Sequence, residues 1–115
     1  MSNLLVRVAR LLQDGQPPIV ESDFLDAAGC SHTIVDKEPI FFIENSVSRS
    51  FPQVGFVRCE VVERWQDSQG RQLARITTSR PDHVESTDGL TEFVVTADSL
   101  CQGTWDGTSL TVPLT

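Results

Sequence analysis

Val54-Gly-Phe-Val-Arg-Cys-Glu-Val-Val-Glu-Arg-Trp65, then Asp67-Ser-Gln-Gly70, then Gln72-Leu-Ala-Arg-Ile-Thr-Thr78: the reading of this stretch decides the fold. Two arms rich in β-branched and aromatic residues flank a turn signal. Asp67 stands at the first position of a type I turn, where its carboxylate accepts a local backbone N–H. Gly70 stands where the chain must go left-handed. The pattern predicts a hairpin with a three-residue loop closed by a glycine bulge. Pairing outward from the turn sets Asp67 opposite Arg71, Trp65 opposite Leu73, Glu63 opposite Arg75 and Val61 opposite Thr77. The other face pairs Arg64 with Ala74 and Val62 with Ile76. Strict alternation then places Val57, Cys59, Val61 and Trp65 on the core side and Phe56, Arg58 and Arg64 on the outer side.

Upstream, Asp26-Ala27-Ala28-Gly29 repeats the Asp-x-x-Gly spacing. The same turn logic predicts a second hairpin, Ile19–Leu25 with Ser31–Val35, with Phe24 opposite His32 and Ser22 opposite Ile34. Leu4 to Leu12 fits either a helical stripe (Leu4, Leu5, Val8, Leu11, Leu12) or an alternating strand. Asp14-Gly15 and Pro17-Pro18, which force a turn and an extended exit, favour the strand. Lys37-Glu38-Pro39 should stop pairing, because proline cannot donate to a ladder. Ile40 to Ile43 then reads as a short buried strand or a crossover, and Glu44 to Pro52 as a polar connection. Downstream, Ser79 to Gly89 is the longest polar stretch, of a length that is uncommon without a function or mobility. Leu90 to Thr96 reads as a strand with Phe93 and Val95 on one side, and Ala97 to Cys101 as a single helical turn. Asp106-Gly107 after Trp105 marks a type I′ hairpin leading to a last strand at Ser109–Val112. Six to eight short strands at regular intervals give an all-β fold: an antiparallel meander of hairpins forming a small barrel or two-layer roll, with room for one short helix. A parallel nucleotide-binding sheet does not fit, because no βαβ alternation is present. The 115 residues fit a single all-β domain spanning 1–115.

The formal net charge is −7, unevenly distributed. Glu21, Asp23, Asp26, Asp36, Glu38 and Glu44 face Lys37 alone. Asp82, Glu85, Asp88, Glu92, Asp98 and Asp106 occupy a stretch without Lys or Arg. Between these blocks, Arg49, Arg58, Arg64, Arg71, Arg75 and Arg80 outnumber Glu60, Glu63 and Asp67. A basic hairpin in an acidic chain points to internal neutralisation, with hairpin arginines pairing acids on neighbouring strands; the alternative is a patch for an anionic partner. Net negative charge disfavours general nucleic-acid binding, which relies on many Lys and Arg contacts to phosphate. It favours a basic partner. No apolar run approaches the ~20 residues that span a bilayer, and the first residues do not have the layout of a signal peptide. Cys30, Cys59 and Cys101 are odd in number and irregularly spaced, as expected of reduced thiols in the cytoplasm.

No stretch carries a catalytic motif. Cys30-x-His32 has no second ligand pair of the kind structural zinc requires, so no metal is expected and no cofactor is implied. His32 reads as a partly buried histidine with a hydrogen-bond partner. Cys59, mid-strand, reads as an inert hydrophobe; Cys101 reads as more exposed, its thiol held up by the acids around it. Two candidate surfaces remain. One is Phe56 flanked by Arg58 and Arg64, an aromatic between arginines that suits a protein interface. The other is the loop carrying Arg80, Asp82, His83, Glu85 and Asp88. The leading expectation is a protein-interaction module, either a stoichiometric inhibitor of a basic protein or a homodimer made through a sheet edge. A hydrolase using His83 with Asp82, Glu85 or Asp88 is the second reading. An OB- or SH3-like nucleic-acid module using the arginine hairpin is the third.

Overall fold

The computed structural model describes residues 2–41 and 50–102. It contains β1 (Ser2–Gln13), β2 (Ile19–Leu25), β3 (Ser31–Lys37), a one-turn helix α1 (Glu38–Phe41), β4 (Gln53–Gln66), β5 (Gln72–Thr77), β6 (Glu92–Thr96), a 3-10 turn at Ala97–Ser99, and β7 (Leu100–Gln102). All strand pairs are antiparallel, and the sheet runs in the order β3-β2-β1-β4-β5-β6. It curls into a half-barrel, and β7 returns to pair with β1 through Ser2↔Gln102 and Leu4↔Leu100. The expected all-β meander is therefore present, with two departures from sequential pairing: β4 joins β1 rather than β3, and β7 joins β1 rather than β6.

Both predicted Asp-x-x-Gly turns form, with the same bonds. The Asp26 carboxylate oxygen Oδ1 accepts the N–H of Ala28 and of Cys30, both at 2.9 Å. Asp67 Oδ1 accepts those of Gln69 at 2.9 Å and Arg71 at 2.8 Å. Gly29 and Gly70 take φ of 84° and 83°, the left-handed region in which a Cβ would strain the chain. The first hairpin has the expected register, Phe24↔His32 and Ser22↔Ile34. A third turn of the same kind lies in the long polar stretch. There Ser86 replaces the aspartate: Ser86 Oγ accepts the N–H of Asp88 and Leu90, and Gly89 N–H donates to Ser86 O.

Near its turn the main hairpin follows the expected pairing, with Trp65↔Leu73, Arg64↔Ala74 and Glu63↔Arg75. Farther from the turn it does not. Val61 pairs with Ile76, not Thr77, and Glu60 takes Thr77, because a β-bulge lies between Val61 and Glu63. Val62 is the extra residue, is 47% exposed, and takes no place opposite Ile76. An extra residue inverts the alternation beyond it. Trp65 therefore leaves the face of Val57 and Cys59 and lies half-buried beside Leu73 on the opposite side. The expectation that it shares their core face is corrected.

The core gathers Leu4, Val6 and Val8 of β1, Val57 and Cys59 of β4, Ala74 and Ile76 of β5, Phe93 and Val95 of β6, and Leu100 of β7. Val20, Phe24, Ile34 and Phe41 complete it, together with Val84 from the polar stretch. A fully buried side chain of this size stabilises the fold by about 1.5–3 kcal/mol. Ile40 and Phe41 belong to a helical turn on the connection from β3 to β4, so of the two readings, buried strand or crossover, the strand does not form at these residues. Pro39 is tolerated because an N–H in the first helical turn would have no intrahelical acceptor to lose. Phe42, Ile43 and the type I′ hairpin and strand expected over 105–112 lie outside the described residues.

Gly55 marks a close approach of β4 to Val8 and to the backbone of Phe41. A Cβ there would lie 2.7 Å from Val8 Cγ2 and 3.2 Å from both the Cβ and the carbonyl oxygen of Phe41. The last contact is backbone and cannot turn aside. Gly55→Ala should cost about 1–3 kcal/mol, the usual range for overpacking, read as a lower urea midpoint at unchanged slope.

Candidate functional site

Alternation along β4 before the bulge turns Val54, Phe56 and Arg58 outward, opposite Arg7, Leu5 and Asn3 of β1. On β2, Asp23 lies opposite Arg7, and Leu25 turns out on the same side. This outer face carries an apolar centre of Leu5, Leu25 and Val54, with Leu25 62% and Val54 63% exposed. Phe56, across from Leu5, is half-buried. Leu5, Val6, Phe24, Leu25, Val54, the Arg7–Asp23 pair and Ser99 line a shallow groove of about 570 Å³.

Charge pairs frame this face. Arg7 grips Asp23 through Nε at 3.1 Å and Nη2 at 2.8 Å, and Arg10 grips Glu21 likewise. At the other end, Arg58 holds Asp82 through Nε at 2.9 Å and Nη2 at 2.6 Å. Arg80 holds Glu60 through both nitrogens at 3.1 Å. Two-point guanidinium–carboxylate contacts fix geometry as well as charge. The two candidate surfaces are thus brought together in part: the loop residues Arg80 and Asp82 dock on the β4 positions Glu60 and Arg58. Arg71 pairs with Asp67, and Arg75 with Glu63 and Glu92. Of the described arginines, only Arg64 lacks an ion pair, so internal neutralisation describes the hairpin.

Arg64 does not join Phe56 and Arg58. It lies eight residues from Phe56 along β4, about 26 Å at the usual rise. The bulge also turns it to the side of Ala74, away from the outer face. Nor does the loop assemble an acid–base site. Both oxygens of Asp82 are committed to Arg58. His83, Glu85 and Asp88 are exposed, and their side chains make no hydrogen bond or ion pair among the described residues. His83 has a left-handed backbone (φ 53°), which costs a non-glycine residue energy. The loop is also anchored: Val84 is fully buried, and Thr78 Oγ1 donates to Val84 O at 2.6 Å.

The remaining titratable groups are structural. His32 Nε2 lies 2.8 Å from Asp26 Oδ2, and its ring packs on Phe24 and Phe93. Partial burial acts to raise the Asp26 pKa; the bond to His32 and the N–H groups of Cys30 and Ala28 outweigh it and hold the carboxyl below its ordinary value. Asp67 is lowered by Arg71, through its side chain first and its N–H second. Burial pushes the Cys59 thiol up to about 12, far from a reactive thiolate. Cys101 is also buried, and desolvation rather than acidic neighbours raises its pKa. Cys30 is exposed. Among the described residues, no group of three or more His, Cys, Asp or Glu side chains is placed to hold a metal, and no helix is long and apolar enough to cross a membrane.

Leu5, Leu25 and Val54 were not singled out in the sequence. Their signal was the outward parity that Val54 shares with Phe56 and Leu25 with Asp23. Compared with known proteins, the chain matches no family model, no curated protein and no solved structure, and its functional reading therefore rests on this geometry.

Proposed function

We propose that the chain is a cytosolic protein-interaction module whose contact surface is the outer face of β2, β1 and β4. One observation carries the reading: two large aliphatic side chains, Leu25 and Val54, stand more than 60% exposed on the walls of one groove. Single exposed aliphatics are ordinary, whereas a grouped apolar centre with a polar, arginine-bearing rim has the layout of an interface. The nucleic-acid reading loses support because six arginines are already bound to carboxylates (Arg7, Arg10, Arg58, Arg71, Arg75, Arg80). Phosphate contacts would have to break those pairs.

The test is capture from nuclease-treated lysate of the parent organism, with the wild-type chain beside Leu25→Ser and Val54→Thr. Both sites are exposed, and both variants should keep the wild-type circular dichroism and urea midpoint. A stoichiometric protein partner should be held at least about tenfold more weakly by each, the scale of a central interface residue. A partner retained equally by both variants would overturn the reading, as would loss of all captured material on nuclease treatment.

A further inference from the structure

We infer that the occupant of the outer groove is a basic segment of another protein: an apolar side chain seated between Leu25 and Val54, with a neighbouring Lys or Arg paired to Asp98. The inference rests on the reading of the groove as an interface and adds the chemistry of the partner.

Charge bookkeeping around the groove supports it. The cation that lines the groove, Arg7, is spent on Asp23, and the next one along β1, Arg10, on Glu21. Beyond Phe56, Arg58 and Arg80 are spent on Asp82 and Glu60. A partner carboxylate would have to displace one of these two-point pairs. A partner cation faces no such competition. Ser99 lines the groove, and Asp98, the residue before it, lines a second hollow of about 250 Å³ with Gln72, Thr96 and Ala97. Asp98 is exposed and accepts a hydrogen bond from Thr96 Oγ1. It has no cation partner among the described residues. Arg71, on the same hollow, is occupied by Asp67 Oδ2 at 2.8 Å and by the carbonyl of Ala27 at 3.0 Å.

The whole-molecule charge agrees. Among the described residues, Asp14, Glu85, Asp88 and Asp98 are exposed carboxylates without an ion pair, against Lys37 and Arg64 as cations without one. At a net charge of −7, a second copy of the chain would approach against repulsion, and a basic protein would be drawn in. Charge complementarity therefore selects the basic partner over self-association through this face.

The experiment follows the methyl resonances of Leu5, Leu25 and Val54 in the full chain while three short synthetic peptides are titrated in. The first alternates Lys with Leu and Phe. The second replaces every Lys with Glu. The third keeps Lys and replaces every apolar residue with Ser. The first peptide should shift those methyls saturably and weaken as salt is raised. Leu25→Ser should weaken it about tenfold, and Asp98→Asn about threefold, as expected of one exposed charge pair. Glu peptides binding as tightly as Lys peptides, with Asp98→Asn silent, would overturn the basic partner and leave the groove standing. Equal binding of the Ser peptide would overturn the apolar anchor. Methyls that none of the peptides moves would overturn the groove reading itself, and this inference with it.

Discussion

Phe93→Ala should destabilise the fold by about 3–5 kcal/mol, the range for removing a buried aromatic ring. The whole stability of a chain this size is about 5–15 kcal/mol, so this one ring accounts for a large part of it. Phe93 is 4% exposed and meets Phe24 edge-on at 5.0 Å and His32 at 4.9 Å. Those contacts cross a gap that has no strand ladder. β3 and β6 are the two ends of the sheet order and do not pair. Two backbone bonds each tie a loop to the facing strand, Ala27 N–H to Val94 O of β6 and Thr87 N–H to Thr33 O of β3, each 2.8 Å. Side-chain packing therefore closes the half-barrel, and a cavity at Phe93 removes contacts on both sides at once. Phe93→Leu keeps most of the volume and should cost under about 1.5 kcal/mol. Urea unfolding of both variants checks the argument. A loss below about 1 kcal/mol for the alanine variant would show that the seam is held elsewhere.

What was legible in the sequence was local. The Asp26 and Asp67 turns depend on side-chain-to-backbone bonds spanning no more than four residues, so spacing alone revealed them, and the first hairpin's register followed. Ser86-Thr-Asp-Gly89 obeys the same rule with a hydroxyl in place of a carboxylate. An aspartate-based turn signal does not cover it, and a lone apolar Val84 in a polar run carries no periodicity that would mark it as a core anchor. The bulge at Val62 has no compositional mark: Val61-Val62 gives two equivalent residues, either of which could lie opposite Ile76. That one extra residue separated Arg64 and Trp65 from the faces assigned to them. The groove was less accessible still. It exists because β4 pairs with β1, a connection across more than forty residues that no local pattern encodes. Charge composition anticipated neutralisation of the hairpin, yet the assignment of Arg58 to Asp82 and Arg80 to Glu60 required the loop to be docked first.

Asp26→Ala should cost about 2–3 kcal/mol at neutral pH, because one carboxylate serves two layers. Oδ1 satisfies the N–H groups of Ala28 and Cys30, which are near solvent and can turn to water. Oδ2 satisfies His32, whose side chain is 14% exposed and whose Nδ1 is buried without a hydrogen-bond partner. Without Asp26, neither ring nitrogen would have a protein partner, and an unsatisfied buried polar group costs about 1–3 kcal/mol. Asp67→Ala is the internal control. It removes the same pair of turn bonds, but the freed Arg71 remains accessible to water, so its loss should be smaller, and the difference reports the share carried by His32. The pH dependence has a defined sign. Asp26 titrates below its ordinary value of 3.8 in the folded state, so its contribution is fully present above that value. It is lost as pH falls through 3.8 toward the lowered folded pKa. Wild type and Asp26→Ala should therefore converge in stability as the solution is acidified through that window, as measured by urea unfolding at neutral and acidic pH. A gap that stayed constant, or widened on acidification, would mean that the carboxylate does not carry the latch.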